Sequence, residues 1–499
     1  MAADLVSNIN WHARATTAQF RNQAFINGRY VDARAGGRFD CISPIDGRVL
    51  TQVVACEQAD IDAAVAAARA AFESGSWAHA SPAHRKQVLL KFADLIEAHA
   101  EELALLETLD MGKPIRYSRR VDIPATVRCL RWYAEAIDKL YDQVAPTAYD
   151  VLATITREPV GVVGAIVPWN FPLIMAAWKF APALAAGNSI VIKPSEKSPL
   201  SALRIAELAT QAGLPDGVFN VVPGYGHTAG KALALHMDVD CISFTGSTAT
   251  GKLMLQYAGQ SNLKRVWLEC GGKSPNIVMA DVADLEQAAA ATAAAIFFNQ
   301  GEMCSAGSRL LVQESIKEAL LARVAHHAQQ YQVGDPLDER TKVGALVDDL
   351  QLQRVQSYVT EAQQQGARLR FGGKRLREQT GGAYFEPTMF DVTPQMIIAR
   401  EEVFGPVLSA ISFKDEAEAI RIANEVMYGL AAAVWTRDLN TAHRMSRALR
   451  AGMVYVNCYD EDDITVPFGG FKQSGNGRDK SLHAFDKYTE LKTTWIKLG

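Results

Sequence analysis

The chain has 499 residues, 51 of them Lys or Arg and 55 Asp or Glu, for a formal net charge of -4. Hydrophobic residues make up 48% and charged residues 21%, the balance of an ordinary globular protein with material for two or three domains. No basic run or acidic tail stands out, so neither nucleic acid nor an anionic membrane surface finds an electrostatic footprint.

The opening stays polar through His12 and Arg14 and does not read as a secretory signal. The longest apolar stretches, 161–168 and 288–298, fall short of the ~20 residues that cross a bilayer. They read as a buried strand and a buried helix. Seven cysteines are scattered along the chain without a CxxC pair. This argues against a disulfide framework or a zinc site and suits a reducing cytoplasm.

Residues 59–73 and 82–110 carry apolar positions at helical spacing. Residues 151–155 alternate like an exposed strand. Short apolar strands follow at 160–167, 189–192, 218–222 and 241–244, with helical segments such as 199–212 between them. Strands apolar on both faces, alternating with helices, indicate a parallel α/β sheet. The alternation restarts after Gly271-Gly272 at 276–279, runs to about 413, and returns at 432–435 and 453–456. A second α/β domain is expected there. The tail, 488–498, is strand-like and is expected to pair with the strand near Val151. Ligands of open α/β sheets bind beyond the carboxyl ends of the strands, so the functional groups are expected to follow the strands.

Pro168-Trp169-Asn170-Phe171-Pro172 follows the first of these strands. Its prolines fix a turn, and Asn170 is either a structural turn residue or a donor to a developing oxyanion. Lys193 and Glu196 follow the second strand. They form a surface ion pair or hold the hydroxyls of a ribose, and a carboxylate there favours NAD over NADP. After the fourth strand, Gly246 and Gly251 open a helix with Ser247 between them. Its first amides suit a phosphate, although a plain Gly-capped helix start fits equally well. Leu253 stands where a P-loop needs a hydroxyl.

Glu269 lies just before Gly271-Gly272, where open backbone would admit a substrate. It is a general base if its surroundings raise its pKa, or else an ion-paired or capping residue. Cys304 follows the Ala-rich helix among small, turn-forming residues. It is a candidate nucleophile with partial access, or a structural thiol. Glu402 and Phe404, ahead of Gly405-Pro406, suit a ribose and a nicotinamide ring, or a solvated turn.

Taken in order, PWNFP, KPSE, FTGST, LECGGK, the stretch from Gln300 to Arg309 around Cys304, EEVFGP and PFGGFKQSG resemble the aldehyde dehydrogenase superfamily. The resemblance runs from about Phe25 to Ile496. It implies an α/β chain with a Rossmann-like NAD-binding domain over 1–141 and 160–271 and an α/β catalytic domain over 272–473. A small β oligomerisation element, from 142–159 and 488–499, is implied as well. By the same resemblance Cys304 is the nucleophile, Glu269 the general base, and Asn170, with the Cys304 amide, the oxyanion site. NAD would be held by Trp169, Lys193, Glu196, Gly226, Gly246, Ser247, Glu402 and Phe404. No metal is implied, and dimers or tetramers are. The expected reaction oxidises an aldehyde to a carboxylate through a thioester on Cys304. The sequence departs from common members at Cys270, where many have Leu, and at Asp479, where many have a Glu viewed as a helper in proton removal.

The segment Cys458-Tyr459-Asp460-Glu461-Asp462-Asp463 lies where the resemblance implies the mouth of a substrate tunnel. It is either a solvated acidic loop or a selector for an ammonium or guanidinium. The C-terminal stretch from Ser474 resembles bacterial aldehyde dehydrogenases of putrescine and arginine breakdown. Those act on 4-aminobutanal, its γ-glutamyl derivative or 4-guanidinobutanal. Asp460, Asp462 and Asp463 are the charged substrate contacts expected, and Phe171, Trp178, Phe298 and Phe468 the apolar wall. Rival readings are a broad or apolar aldehyde dehydrogenase, a non-catalytic relative, and a nucleotide hydrolase built on the near P-loop. With no His in any motif, Cys–His hydrolysis is at most a side activity.

Overall fold

The computed structural model describes residues 9–461 and 463–499. Two seven-stranded sheets and one three-stranded sheet organise them. In the first sheet the order is Arg265–Glu269, Cys241–Thr245, Val162–Ile166, Ser189–Lys193 and Phe219–Val221, all parallel. Its central strands are buried at every position, as expected where helices cover both faces. From Val162–Ile166 the chain adds two strands on one side, then crosses to the other side at Cys241–Thr245. That reversal opens a crevice beyond the strand ends.

An antiparallel hairpin, Ala24–Ile26 with Arg29–Val31, extends the far edge of this sheet. The helical reading of the first third left it out. Its turn residues Asn27 and Gly28 both have positive φ, 51° and 76°, the pattern of a tight hairpin turn. The single helix expected over 82–110 is two, Pro82–Ala98 and Ala100–Met111. His99 breaks it: its backbone leaves the helical region, and its ring nitrogen meets the Leu95 carbonyl at 2.8 Å.

The second sheet has the order Arg368–Phe371, Thr388–Asp391, Val407–Phe413, Arg309–Gln313, Pro275–Val278, Ala431–Trp435 and Met453–Val456. Only the first of these is antiparallel to its neighbour. In the third sheet the tail strand Thr489–Lys497 pairs antiparallel with Val151–Pro159 along its whole length, as the sequence led us to expect. Gln143–Ala145 flanks the other side.

Arg309 ties the second sheet together from inside. Its guanidinium donates to the carbonyls of Lys273 (2.8 Å), Ile422 (3.0 Å) and Ala423 (2.9 Å) and is 1% exposed. Arg309→Met removes the side-chain donor from three buried carbonyls, of which Ile422 keeps only the long bond from Glu425 N at 3.4 Å, at roughly 1–3 kcal/mol for each carbonyl left unpaired, before relaxation. The thermal midpoint is expected to fall by about 5 °C or more. A midpoint unchanged within a degree in a melting experiment would refute this role.

Candidate active site

Two cavities share Cys304 in their linings. The larger, about 530 Å³, lies beyond the carboxyl ends of the first sheet, and the smaller is about 260 Å³. Cys304 lines both, together with Met175, Trp178 and Phe468. Cys304 itself is half-buried.

The first sheet supplies groups that follow its strands. Trp169 and Asn170 come after Val162–Ile166, Gly246 and Ser247 come after Cys241–Thr245, and Glu269 ends its own strand. The second sheet supplies groups that precede theirs. Cys304 comes before Arg309–Gln313, and Glu402 and Phe404 come before Val407–Phe413. The expectation that functional groups follow the strands therefore holds for the first sheet only. The reason is the short crossing between Glu269 and Pro275. It joins the carboxyl end of one strand to the amino end of the next, so the two sheets face each other across the cleft with opposite ends.

A set of amides holds the approach to Cys304. Asn170 Nδ2 donates to the Glu302 carbonyl at 2.9 Å. Asn299 Nδ2 donates to the carbonyls of Glu302 (3.1 Å) and Asn170 (3.2 Å). Asn299 and Gln300 are both left-handed, at φ 49° and 57°, a conformation that costs free energy outside Gly. Gln300 compensates by accepting from Gly344 N at 3.1 Å and donating to the Ala345 carbonyl at 3.2 Å. The Glu302 carboxyl accepts from Val347 N at 3.0 Å. The sequence reading gave these three no role. The signal was there: two carboxamides and a glycine directly after an Ala-rich helix.

Burial pushes the Cys304 thiol up, and the carboxyls of Glu402, Glu269 and Asp460 push it the same way. Glu269 is 4% exposed, and neither of its oxygens has a hydrogen-bond partner among the described residues. Burial pushes its carboxyl well above the usual carboxylate range, and the charge of Asp479 adds to that, against Lys179, Lys487 and Arg478. Asp479 is fully buried and ion-paired to both Lys179 and Lys487. Burial raises its carboxyl, but the two ammonium groups outweigh burial and hold it below its ordinary range.

Two glycine readings change. A Cβ on Gly271 would meet the Glu402 carboxylate at 2.1 Å, and one on Gly272 the Cys304 carbonyl at 2.5 Å. The bare backbone of this pair is thus occupied by Glu402 and Cys304, not left open for a substrate. Glu402 also accepts from Gly272 N at 3.0 Å, and burial raises its carboxyl to about 7. Gly251 lies inside the helix Thr248–Gln260, where a Cβ would meet Cys270 Sγ at 2.8 Å. It makes room for that thiol and does not open the helix. Ser247 caps the helix, accepting from Thr250 N at 3.3 Å. The Cys270 thiol is buried and pushed up to about 12 by burial, then by Glu269 and Glu402.

Of the residues expected to hold NAD, Trp169, Gly246, Ser247, Glu402 and Phe404 line the larger cavity. Lys193, bonded to Glu196 at 3.2 Å, lies outside this lining with its partner, and so does Gly226. A Cβ on Gly226 would meet nothing within 4 Å. The Trp169 and Phe404 rings stand perpendicular at 5.2 Å. Phe404 has φ 56° and its carbonyl accepts from Gln351 at 2.6 Å. Thr245 Oγ1 is buried in the same lining without a partner among the described residues. A long crevice with a helix N-terminus, an orphan hydroxyl and a buried carboxyl fits a dinucleotide.

The smaller cavity has the expected aromatic wall. Phe171 stacks with Phe298 at 6.2 Å, and Trp178 leans on Phe468 at 5.2 Å. Asp460 and Asp463 line it, while Asp462 lies outside the described residues. Asp460 accepts from Ser305 Oγ at 3.2 Å. Arg128 and Lys480 line it as well, so the mouth is not purely acidic.

The model of the aldehyde dehydrogenase family matches residues 30–494. The chain is 57% identical over 489 residues to an NADP/NAD-dependent aldehyde dehydrogenase, PuuC, of Escherichia coli, covering 98% of each. Among solved structures it is similar to the indole-3-acetaldehyde dehydrogenase AldA of P. syringae in complex with NAD+ and IAA, at 61% identity and a TM-score of 0.97, covering 98% of this chain and 99% of that one. A γ-glutamyl-γ-aminobutyraldehyde dehydrogenase from Burkholderia cenocepacia matches with 60% identity, the same TM-score and the same coverage.

The charge balance behind Glu269 is testable by titration. In Lys487→Met one ammonium is lost, so the negative charge of Asp479 acts on Glu269 with less compensation. Less support for the carboxylate means a higher pKa. Difference infrared titration should show the Glu269 band converting at higher pH than in the wild type. A shift to lower pH, or none, would show that Lys487 does not act on Glu269.

Proposed function

The chain belongs to the aldehyde dehydrogenase family and is an NAD-dependent aldehyde dehydrogenase, and we propose that Cys304 is its nucleophile, Glu269 its general base and Asn170 its oxyanion donor. The observation that carries this assignment is the meeting of the two cavities at Cys304, with Asn170 and Glu269 lining the cofactor side.

The thiol of Cys304 passes its proton to Glu269, whose raised carboxyl is suited to take it. The sulfur adds to the aldehyde carbon, and the new oxyanion sits against Asn170 Nδ2. Bound NAD supplies the acceptor for the hydride that leaves this carbon. What remains on Cys304 is a thioester. Glu269 gives up the thiol's proton to solvent and then takes one from water, the hydroxide adds to the thioester carbon, and the carbon–sulfur bond breaks to re-form the thiolate, the acid losing its proton as it departs as carboxylate. Trp169, Gly246, Ser247, Glu402 and Phe404 would hold the cofactor. Lys193 and Glu196, at the end of the adjacent strand, would hold its adenosine ribose, and Gly226 would lie beyond them.

For substrate we favour an aldehyde with a distal amino or guanidino group. Asp460 and Asp463 support it, and the cavity they line reaches Cys304. The aromatic wall of the same cavity supports a second reading, an apolar aldehyde. The three sheets support the division into a dinucleotide unit (1–141 and 160–271), a catalytic unit (272–473) and an oligomerisation element (142–159 and 488–499). Val144, Leu491, Trp495 and Ile496 are exposed on the three-stranded sheet, which supports self-association into dimers or tetramers there. Seven unpaired cysteines suit a reducing cytoplasmic setting.

NADH formation with 4-aminobutanal, 4-guanidinobutanal, indole-3-acetaldehyde and hexanal tests the assignment. Cys304→Ala should give no NADH from any of them. Asn170→Ala should lose roughly 3 kcal/mol of transition-state stabilisation, a few hundred-fold in rate. Glu269→Gln should cost about 10²–10⁴-fold. The amino and guanidino compounds should lead hexanal by about tenfold in kcat/KM, or ~1.4 kcal/mol. Turnover by Cys304→Ala would reject the nucleophile. Hexanal in the lead would reject the charged substrate class.

A further inference from the structure

The turn that leads to Cys304 runs through three consecutive left-handed residues, Asn299 and Gln300 at φ 49° and 57° and Gly301 at 71°. Such a run persists only where its surroundings fix it. Gly301 leaves no room for a side chain, since a Cβ there would collide with the Gly405 carbonyl. Glu302 ends the run with no exposure to water. One of its carboxyl oxygens accepts from Val347 N at 3.0 Å, and the other has no hydrogen-bond partner among the described residues. Burial pushes this carboxyl well above the usual carboxylate range, with the Val347 amide pulling the other way. Val347 is a fixed point. It is buried between Leu346, whose N–H donates to the Ala383 carbonyl at 2.7 Å, and Asp348, which caps the helix Asp349–Gln364. No step of the reaction described above uses the Glu302 side chain.

The backbone of Glu302 does reach the site. Its carbonyl accepts from Asn170 Nδ2 at 2.9 Å and from Asn299 Nδ2 at 3.1 Å, and Asn299 Nδ2 also donates to the Asn170 carbonyl at 3.2 Å. A carboxamide nitrogen carries two N–H donors in one plane. With one of them given to Glu302, the direction of the other is set. Asn170 lines the larger cavity, so the second N–H is the one a developing oxyanion would meet. We infer that Glu302 is a positioning residue for the oxyanion site: its carboxyl, anchored on Val347 N, holds its carbonyl in place, and that carbonyl aims the Asn170 amide. The inference rests on Asn170 as the oxyanion donor and adds the residue that orients it. What the Glu302 side chain must supply is an acceptor, not a charge.

The test compares three variants of the full chain with NAD, using 4-aminobutanal and hexanal. Glu302→Leu removes the acceptor and should lower kcat by about 10²-fold, the cost of roughly 1 Å of misplacement. kcat/KM should fall by the same factor, as for an interaction made only in the transition state. Glu302→Asp draws the acceptor back by one methylene and should lose about tenfold; it takes the place of the leucine variant in every arm if that variant does not fold. Glu302→Gln keeps an acceptor for Val347 N and should recover most of the rate. Alkylation of Cys304 by iodoacetamide, followed on its peptide by mass spectrometry, should keep the wild-type rate in all three, because displacing iodide forms no oxyanion. In the Asn170→Ala background, Glu302→Leu should cost on the order of twofold more, since the amide it aims is gone. A wild-type kcat from Glu302→Leu overturns the inference, and so do losses that multiply in the double variant. Alkylation that slows in step with kcat also overturns it, by placing Glu302 with the nucleophile. A glutamine variant as slow as the leucine one does the same. Wild-type rates from Asn170→Ala alone are a different result, because they reject the oxyanion donor itself and the inference with it.

Discussion

Much of the site depends on one buried carboxylate. Asp479 has no exposure to water and is gripped by the ammonium groups of Lys179 and Lys487. Ions in the interior lose several kcal/mol of hydration each, and the two ammonium groups together offset that loss for Asp479. Lys179 comes from the buried helix Pro172–Ala185, which also carries Met175 and Trp178 into both cavities. Asp479 exchanges two backbone hydrogen bonds of 2.7 Å with Phe468. That exchange closes the loop between them and sets Phe468 at the junction of the cavities. Within the loop, Gly469 and Gly477 lie so close to Glu269 that a Cβ on either would meet Oε1 within 3 Å. The ion cluster thus fixes the cavity wall at Phe468, the glycines around Glu269 and the field acting on its carboxyl.

The same loop joins the two sheets. Ser474 donates its hydroxyl to the Gly271 carbonyl at 2.7 Å and accepts from Gly429 N at 2.9 Å. Its carbonyl accepts from Cys270 N at 2.8 Å. Asn476 accepts from Leu268 N and donates to the Val266 carbonyl, stitching the strand that ends in Glu269. The short crossing from Glu269 to Pro275 is therefore pinned from the side. Opposed sheet edges can place Glu269 and Cys304, from different sheets, in one lining only if that crossing is rigid.

Short apolar strands bounded by Gly and Pro were legible in the sequence, because burial on both faces leaves a continuous apolar run. Ser189–Lys193 and Cys241–Thr245 are two instances. The His99 break was not legible, since the apolar spacing continues through it. The hairpin at Asn27-Gly28 was legible in principle, and its turn dipeptide was passed over. Motif glycines were noticed, but their reasons were not available locally. Gly271 answers to a carboxylate 131 positions away, and Gly251 to a thiol just past the end of a neighbouring strand. Lys179 lies in no motif, and Lys487 lies in the C-terminal stretch from Ser474, whose resemblance gave it no role. A lysine inside an apolar helix such as LIMAAWKFAPALA is the visible trace of a buried charge, but its partner lies 300 residues away.

The high proton affinities at the site have a common cause, and that bears on how the proposed nucleophile, Cys304, would be made. Thiolate, not thiol, attacks a carbonyl, and the Cys304 thiol is pushed up by burial and by three carboxyls. Moving its proton to bulk water would create a new charge in a buried place. Moving it to ionised Glu269 does not, because one buried anion replaces another and the desolvation penalties largely cancel. A base with an ordinary carboxylate pKa would hold the proton too weakly for that exchange. Glu269 is raised by the same burial and by the fixed charge of Asp479, which narrows the gap between donor and acceptor. Burial thus pushes both groups the same way, and both line the same cavity.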